Sequence, residues 1–316
     1  MATLKLTSPP MEIWIGCSGW FYWHWKGLFY PEQCPTHRWF KHYASKFKTV
    51  ELNAPFYRWP TPSTVKCWVK QAPKRGFTYC IKVNGLITHE KRFVGTKKLV
   101  RDFSAIADAL GDRMGCFLFQ MPPSYRYTPG RLRAIMSQLD HARRNVIEFR
   151  HPSWWNSTVL AACRKHGTIF CSSSGPRMPD ELVTTAEDIY LRFHGTKKWY
   201  RHDYSSDELA VWADRIRASG AKRAWIYFNN DREGFAIKNA RKLKQLLKNP
   251  PAVAATPASP PRDNRILSRG VAPTTRTRAV RQPHPNRMRW TDSGVVIRPP
   301  KRARAPEAPP SRRVAV

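Results

Sequence analysis

Charged and amide side chains recur near the ends of short apolar runs throughout the first 249 residues of this 316-residue chain. They are Glu51, Asn53, Lys82, Gln120, Glu148, Arg150, Arg192, His194 and Asn229. A strand buried on both faces of a parallel sheet is expected to be continuously apolar, and burial of an ionisable group carries a desolvation cost. Packing does not explain these residues, so their types indicate a functional site.

Three of these side chains, Lys82, Arg150 and Arg192, are cations and predict a site for an anion. Guanidinium and ammonium groups form charge-assisted hydrogen bonds to phosphate, and guanidinium can do so with two donors at once. Glu148 or Glu51 would then serve as general base. The alternative is a buried ion-pair network that is satisfied internally and only sets the register of the fold.

The remaining polar side chains have predicted roles around that anion. His194 is predicted to act as general acid. The amides of Asn53, Gln120 and Asn229 are predicted to orient the substrate, since a fixed geometry lowers the barrier to reaction. His89, in the Thr88-His89 pair, is predicted to contact the substrate as well.

No cofactor is predicted from this chain, although a divalent metal remains open. His89, His151 and His194 have the ligand chemistry for such a metal, together with Glu51 and Glu148. They follow neither an HExxH nor an HxH spacing. The neighbouring cations also disfavour a metal.

The densest aromatic cluster runs from Gly19 to Gly27. Trp20 and Tyr22 are its predicted contacts to a base or sugar, because aromatic rings provide stacking surfaces. Tyr57 is predicted to join them from a proline-bearing stretch that would stiffen the rim of the site. The alternative is a hydrophobic plug without contact to a ligand.

Eight β-like runs alternate with amphipathic stretches, which predicts βα units around a parallel sheet. The predicted strands are Ile13 to Cys17, Thr49 to Asn53, Phe77 to Lys82, Gly115 to Gln120, Asn145 to Arg150, Thr168 to Ser172, Asp188 to His194 and Arg223 to Asn229. The predicted helices are Thr36 to Phe47, Ser63 to Ala72, Lys97 to Leu110, Pro129 to Leu139, Ser157 to His166, Ser205 to Ala218 and Arg232 to Leu247. The sixth connection, 173–187, is predicted to hold a short helix or none.

This alternation predicts an α/β fold of the (β/α)8 TIM-barrel type, with the site at the carboxyl ends of the strands. An open doubly wound sheet is the alternative, but the first strand is not followed by the GxGxxG spacing of a nucleotide loop. Side chains alternate along a strand, so Glu148 and Arg150 share one face. The same alternation turns Glu51, Arg192 and the other polar strand-end residues toward the barrel interior.

Composition divides the chain into three predicted parts: a leader over 1–12, the barrel over 13–248 and a disordered Arg/Pro-rich tail over 249–316. Residues 250–316 hold 14 Lys plus Arg against 3 Asp plus Glu, 13 of the 27 prolines, and Trp290 as their single aromatic residue. Such a segment buries too little apolar surface to offset chain ordering. The other 249 residues still contain 41 basic and 19 acidic residues, which predicts a polyanionic partner or substrate.

The seven cysteines form no CxxC pair, and no apolar run is long enough to cross a bilayer. Because Met1 to Met11 also lack an apolar signal core, we expect a cytoplasmic protein with reduced thiols and no membrane partner. Oligomeric state is not predicted.

Several motifs of the chain resemble the YecE-like family, domain of unknown function 72 (DUF72), over roughly residues 13–247. They are Ile15-Gly16-Cys17-Ser18-Gly19-Trp20, Phe29-Tyr30-Pro31, Val50-Glu51-Leu52-Asn53, Phe56-Tyr57-Arg58, Thr88-His89, Phe119-Gln120-Met121-Pro122-Pro123, Glu148-Phe149-Arg150-His151-Pro152-Ser153-Trp154, Arg192-Phe193-His194-Gly195 and Tyr227-Phe228-Asn229-Asn230-Asp231. The resemblance implies a TIM-type barrel but no reaction. Family members often carry an acidic residue where this sixth strand ends in Ser172-Ser173.

Three functions follow from these patterns. The leading hypothesis is an enzyme that binds a phosphate-bearing substrate, related to nucleotides or nucleic acid, and hydrolyses a phosphoester. The second is a non-catalytic nucleic-acid-binding protein that uses its basic surface and Arg-rich tail. The third is a sugar-phosphate isomerase or lyase, which would act on a small molecule without a metal.

Overall fold

Eight parallel strands form a nearly closed barrel in the computed structural model, which describes residues 10–248. The strands are β1 Glu12–Cys17, β2 Thr49–Leu52, β3 Thr78–Lys82, β4 Met114–Gln120, β5 Asn145–Glu148, β6 Ile169–Ser174, β7 Asp188–Phe193 and β8 Arg223–Phe228. Their order around the sheet is β1-β8-β7-β6-β5-β4-β3-β2. A parallel bridge between Ser18 and Glu51 links the β1 and β2 edges. The predicted (β/α)8 fold is confirmed, and the open doubly wound alternative is wrong.

Helices connect and follow these strands. They are α1 Trp39–Lys46, α2 Ala54–Tyr57, α3 Pro62–Gln71, α4 Lys97–Ser104, α5 Ile106–Leu110, α6 Pro129–Met136, α7 Ser157–Lys165, α8 Ser206–Ala218 and α9 Phe235–Lys248. The single helix predicted from Lys97 to Leu110 is divided at Ala105 into α4 and α5. The sixth connection, 175–187, contains no helix, in agreement with its weak periodicity.

Short polar side chains begin four of the helices by accepting a hydrogen bond from a backbone N–H in the first turn. These caps are Thr61 for α3, Thr128 for α6, Asn156 for α7 and Ser205 for α8. Ser205 and Glu208 form a reciprocal capping box. The caps fix where each helix starts and therefore how long each connection on the carboxyl side of the barrel is.

The apolar side chains divide into two layers, as alternation along the strands predicts. Outward residues such as Val50, Leu52, Ile147 and Phe149 pack in the large core between strands and helices. A smaller cluster fills the barrel interior: Cys80, Cys116, Leu118, Val146, Ile169, Cys171, Tyr190, Trp225 and Tyr227. The polar strand-end residues thus sit above an apolar interior.

Strand bounds differ from the sequence predictions mainly at the carboxyl ends. Asn53, Arg150, His194 and Asn229 lie just beyond β2, β5, β7 and β8 instead of within them. The predicted tail and residues 1–9 of the predicted leader lie outside the described residues, and β1 begins at Glu12. Within residues 10–248, the structure contains no helix with the length and apolar character required to cross a membrane.

Candidate active site

Arg192 of β7 lies at the centre of the charged cluster at the carboxyl end of the barrel. Its side chain is 1% exposed. One terminal nitrogen donates to Glu148 Oε2 of β5 at 2.6 Å, and the other donates to Glu51 Oε1 of β2 at 2.6 Å. Burial opposes the charge on Arg192, but the two carboxylates raise the pKa of its guanidinium well above the ordinary value. Arg192 therefore joins three strands from inside the barrel.

Glu51 is fully buried and has donors on both of its oxygens. Ser18 Oγ donates to Oε1 at 2.7 Å, in addition to Arg192, and the Tyr190 hydroxyl donates to Oε2 at 2.7 Å. With both oxygens held in this way, Glu51 is poorly placed for its predicted role as general base. Its contacts match those of the alternative, a buried ion-pair network.

Glu148 is likewise fully buried and lies between two guanidiniums. Arg150 Nε donates to its Oε1 at 2.8 Å, opposite the contact with Arg192. Burial alone would raise the pKa of Glu148, but Arg150 and Arg192 hold that pKa well below its usual value. A carboxylate of this kind accepts a proton weakly at neutral pH, so the geometry does not favour Glu148 as general base.

Arg150 is the guanidinium of the cluster that reaches the mouth of the barrel. Its side chain is 13% exposed. The terminal nitrogens lie 3.5 Å from the Tyr200 hydroxyl and 3.4 Å from His194 Nε2, and the group covers the Trp199 ring with its carbon 4.9 Å from the ring centroid. These long contacts leave hydrogen-bonding capacity for a ligand.

His194 is fully buried beside the two arginines, with Nε2 3.4 Å from Glu148 Oε1 and Nδ1 3.2 Å from the Asn229 amide nitrogen. Burial, followed by the charges of Arg150 and Arg192, lowers the pKa of His194 to about 3. The ring is neutral at pH 7. It can relay a proton through its two nitrogens, but it does not carry the extra proton that the predicted general acid would supply.

Lys82, the last residue of β3, differs from the two arginines. Its Nζ lies 3.8 Å above the centroid of the Phe56 ring, and among residues 10–248 it has no hydrogen-bond or ion-pair partner. Burial, together with the charges of Arg192 and Arg150, lowers the pKa of Lys82 to about 7. Its proton is therefore exchangeable at neutral pH.

His89 lies beside Lys82 in the π-helical turn Leu86–Glu90. Its ring meets Phe56 edge-on at 4.8 Å, and Nδ1 is 3.0 Å from Thr88 Oγ1. Burial and the Lys82 charge lower the pKa of His89 to about 4. Short π-helices are frequent at functional sites.

The three predicted amides lie at the same end of the barrel in different environments. Asn53 follows β2, and its Oδ1 is buried without a hydrogen-bond partner among the described residues. Gln120 Nε2 donates to the Met121 carbonyl at 3.0 Å, so part of its capacity is used locally. Asn229 contacts His194. The unpaired oxygen of Asn53 is the one most available to a hydrogen-bond donor on a ligand.

The aromatic loop after β1 packs mostly into the protein. Tyr22 is buried, donates its hydroxyl to the Ser18 carbonyl and packs on Trp25 at 4.6 Å. Trp20 is half-buried and meets Phe40 of α1 edge-on at 4.9 Å. These contacts match the packing alternative for Trp20 and Tyr22. Tyr57, by contrast, is 51% exposed at the end of α2.

Four side chains that shape this site are absent from the residues predicted from the sequence. Tyr190 was detectable, because alternation from Arg192 turns it inward. Phe56 belongs to a motif of the family, but nothing in its type or spacing indicates a place beneath an amine. Trp199 and Tyr200 come from the loop after β7, where no periodic pattern fixes a side chain, so only the folded structure places them over Arg150.

The match to known families decides where this barrel belongs. The family model described as "Protein of unknown function DUF72" matches residues 14–264. The chain belongs to the DUF72 family. The resemblance predicted from the motifs is thereby confirmed.

Relatives of this chain match between about half and three quarters of its length. UPF0759 protein YunF of Bacillus subtilis is 25% identical over 271 aligned positions, which cover 74% of this chain and 94% of YunF. UPF0759 protein YecE of Escherichia coli is 25% identical over 182 positions, covering 49% of this chain and 66% of YecE. A DUF72 protein from Thermotoga maritima has a crystal structure with a TM-score of 0.68 and 26% identity, covering 75% of this chain and all of that one.

Ion-paired side chains form the centre of this DUF72 cluster. No group of three or more His, Cys, Asp or Glu side chains within residues 10–248 is arranged to hold a metal ion. His151, weighed as a ligand from the sequence, bonds to Ser153 instead. The described side chains provide a buried ion-pair network around Arg192, a partly exposed guanidinium at Arg150 and a titratable amine at Lys82.

Proposed function

We propose that this DUF72 protein is an enzyme that binds a small phosphate-bearing substrate at the carboxyl end of the barrel, between Arg150 and Lys82. The observation that carries the proposal is the missing partner of Lys82. Glu51 and Glu148 are shared by Arg192 and Arg150, so two negative charges face two positive ones. Protonated Lys82 adds a positive charge that no described carboxylate offsets.

An anion is the ligand that this imbalance favours. Arg150 and Arg192 repel each other and Lys82, so a negative group held by Arg150 at the mouth would relieve part of that repulsion. The long contacts of Arg150 to Tyr200 and His194 can be exchanged for shorter, charge-assisted ones to phosphate oxygens. Asn53 Oδ1 would accept from a substrate hydroxyl.

The state of the acid-base groups supports isomerase or lyase chemistry over phosphoester hydrolysis. Hydrolysis as predicted from the sequence needs a carboxylate base and a histidine acid, but Glu148 is held as a carboxylate by two arginines and His194 is neutral. Lys82 is the group of this cluster whose pKa, about 7, suits proton exchange at neutral pH. We therefore assign proton transfer to Lys82.

Thermal unfolding with inorganic phosphate and with glycerol 3-phosphate tests the binding claim. Both should raise the melting temperature of the wild type. In Arg150→Met, which keeps an apolar stem of similar length, the shift should disappear while the circular dichroism spectrum is unchanged. The matched control is Arg101→Met on the outer helix α4, where the arginine is 76% exposed. An equal shift in wild type and Arg150→Met would reject the proposal.

Nucleic-acid binding is the second candidate, and the cations on the rim favour it. Lys197, Lys198 and Arg201 are exposed in the loop after β7, and Lys91 is exposed after β3. No described carboxylate forms an ion pair with any of the four. Such a rim attracts a phosphate backbone through counterion release, which does not require Lys82 or Glu148. Salt-dependent DNA binding that falls when these four residues are changed to Gln, with no protection of the wild type by phosphate or glycerol 3-phosphate, would support this candidate.

A further inference from the structure

Lys82 has the surroundings of a nucleophilic amine. Its Nζ rests on the face of Phe56 at 3.8 Å, and no described oxygen or nitrogen accepts a hydrogen bond from it. A lysine that only balances charge is normally within reach of a carboxylate. Here an apolar wall replaces that partner, and such a wall keeps water from one side of the amine.

Charged groups at the ends of β2, β5 and β7 act on Lys82. Arg192 of β7 and Arg150 after β5 disfavour its proton, while Glu148 of β5 and Glu51 of β2 favour it. The carboxylates are tied to the arginines at 2.6 to 2.8 Å. Burial, followed by the charges of Arg192 and Arg150, therefore outweighs them and lowers the pKa of Lys82 to about 7. Desolvation and an adjacent cation are the two conditions that activate a lysine as a nucleophile.

We propose that Lys82 forms an imine with the carbonyl carbon of a phosphorylated aldehyde or ketone. The inference rests on the proposed function and narrows its substrate class, because an organic phosphate without a carbonyl group would bind but could not react. Arg150 would hold the phosphate at the mouth, and the carbonyl carbon would lie over Phe56 near Nζ.

The step balances without an oxidant or reductant. The lone pair of the neutral amine forms the N–C bond as the carbonyl π bond opens, and one amine proton moves to the resulting oxygen to give a carbinolamine. That oxygen then takes a second proton from solvent and leaves as water, while the nitrogen lone pair forms the C=N bond of a protonated imine, which keeps the second amine proton. His89 and His194 are neutral rings in the same cluster and can relay these protons.

Borohydride trapping on the full-length protein tests the imine. Dihydroxyacetone phosphate and sodium borohydride, added near pH 7.5, should give one stable secondary amine per chain, and peptide mapping should place it at Lys82. Lys82→Arg should lower labelling at least tenfold. The matched control is Lys197→Arg, which removes an exposed lysine on the rim and should label like the wild type.

The outcomes distinguish the imine from the proposed phosphate binding on which it rests. Labelling spread evenly over surface lysines, or equal in wild type and Lys82→Arg, overturns the imine. If glycerol 3-phosphate raises the melting temperature but dihydroxyacetone phosphate does not label Lys82, the imine is wrong and phosphate binding stands. Label at Lys82 that excess glycerol 3-phosphate does not reduce supports the imine but contradicts a shared phosphate site. If there is neither protection nor label, both proposals are wrong.

Discussion

Arg192 determines the state of the other charged side chains at the site. It takes one oxygen of Glu51 and one of Glu148, and the position of Glu148 in turn fixes Arg150. A buried pair of this kind is a weak source of net stability, because desolvation offsets most of the attraction. Its consequence is functional: with both carboxylates committed, Lys82 is left without a counter-charge.

Replacing Arg192 by Met should destabilise the barrel by about 3–5 kcal/mol, because the buried Glu51 carboxylate would lose its ion-pair partner and Glu148 would keep only Arg150. Urea unfolding at pH 7 measures the change. The triple variant Glu51→Gln, Glu148→Gln and Arg192→Met removes all three charges and should recover much of the loss. A single variant within about 1 kcal/mol of wild type would show that the network is not as buried as the structure has it.

A second prediction at the residue scale concerns the effect of Lys82 on the pH dependence of stability. Its pKa is about 7 when folded and 10.5 ordinarily, so between these values the unfolded chain holds the proton and the folded chain has released it. Stability then rises with pH, by at most about 1.4 kcal/mol per pH unit for one proton. Relative to Lys82→Met, the unfolding free energy of the wild type should therefore increase from pH 7 to 10. If the unfolding free energies of the wild type and Lys82→Met changed in parallel with pH, Lys82 would be an ordinary, solvated lysine.

At the scale of elements, the regular parts of the barrel were predictable and the loops were not. Alternation along β2, β5 and β7 is enough to put Glu51, Glu148 and Arg192 on the interior face. Their pairing was not predictable, because alternation gives a direction but no distance across the barrel. The residue types at the strand ends also fit both an anion-binding site and a buried ion-pair network, since both use the same side chains.

The loop after β7 has a backbone conformation that could not be predicted from the sequence. Tyr200 adopts a left-handed backbone, φ 67°, which a bulky side chain rarely does, and its N–H donates to the His194 carbonyl at 2.6 Å. No propensity predicts such a conformation. Backbone strain of this kind collects at functional sites, and here it accompanies the placement of Trp199 and Tyr200 over Arg150.

Gly195 lies at the start of this loop, and a substitution there tests whether the loop conformation matters for the site. It has φ +98°, and an added Cβ would lie 2.7 Å from the Lys198 carbonyl oxygen and 2.8 Å from His202 Cβ. Gly195→Ala should therefore shift the loop, lower the melting temperature and reduce protection by glycerol 3-phosphate. Gly220→Ala is the matched control, because Gly220 also has positive φ, +67°, but nothing lies within 4 Å of the added Cβ. Equal effects of the two changes would mean that only the backbone conformation matters.

At the scale of the whole molecule, positive charge is spread far beyond the site. The chain carries a formal net charge of +33, of which the interior cluster accounts for one charge at most. A field of this size draws any polyanion to the surface regardless of what the barrel mouth does. Binding of nucleic acid by itself is therefore no evidence for the function of the interior site.

Salt dependence distinguishes the two kinds of binding. The full-length chain should bind duplex DNA at low salt, and its affinity should fall with a logarithmic slope of about −0.9 per phosphate contact. Changing Lys197, Lys198 and Arg201 to Gln should lower that slope by about 1 per lost contact. Lys82→Met should leave it unchanged, since Lys82 lies inside the rim. Were Lys82→Met to weaken DNA binding as much as the rim changes do, the polyanion would have to enter the barrel mouth, and the small-molecule proposal would give way to a nucleic-acid site.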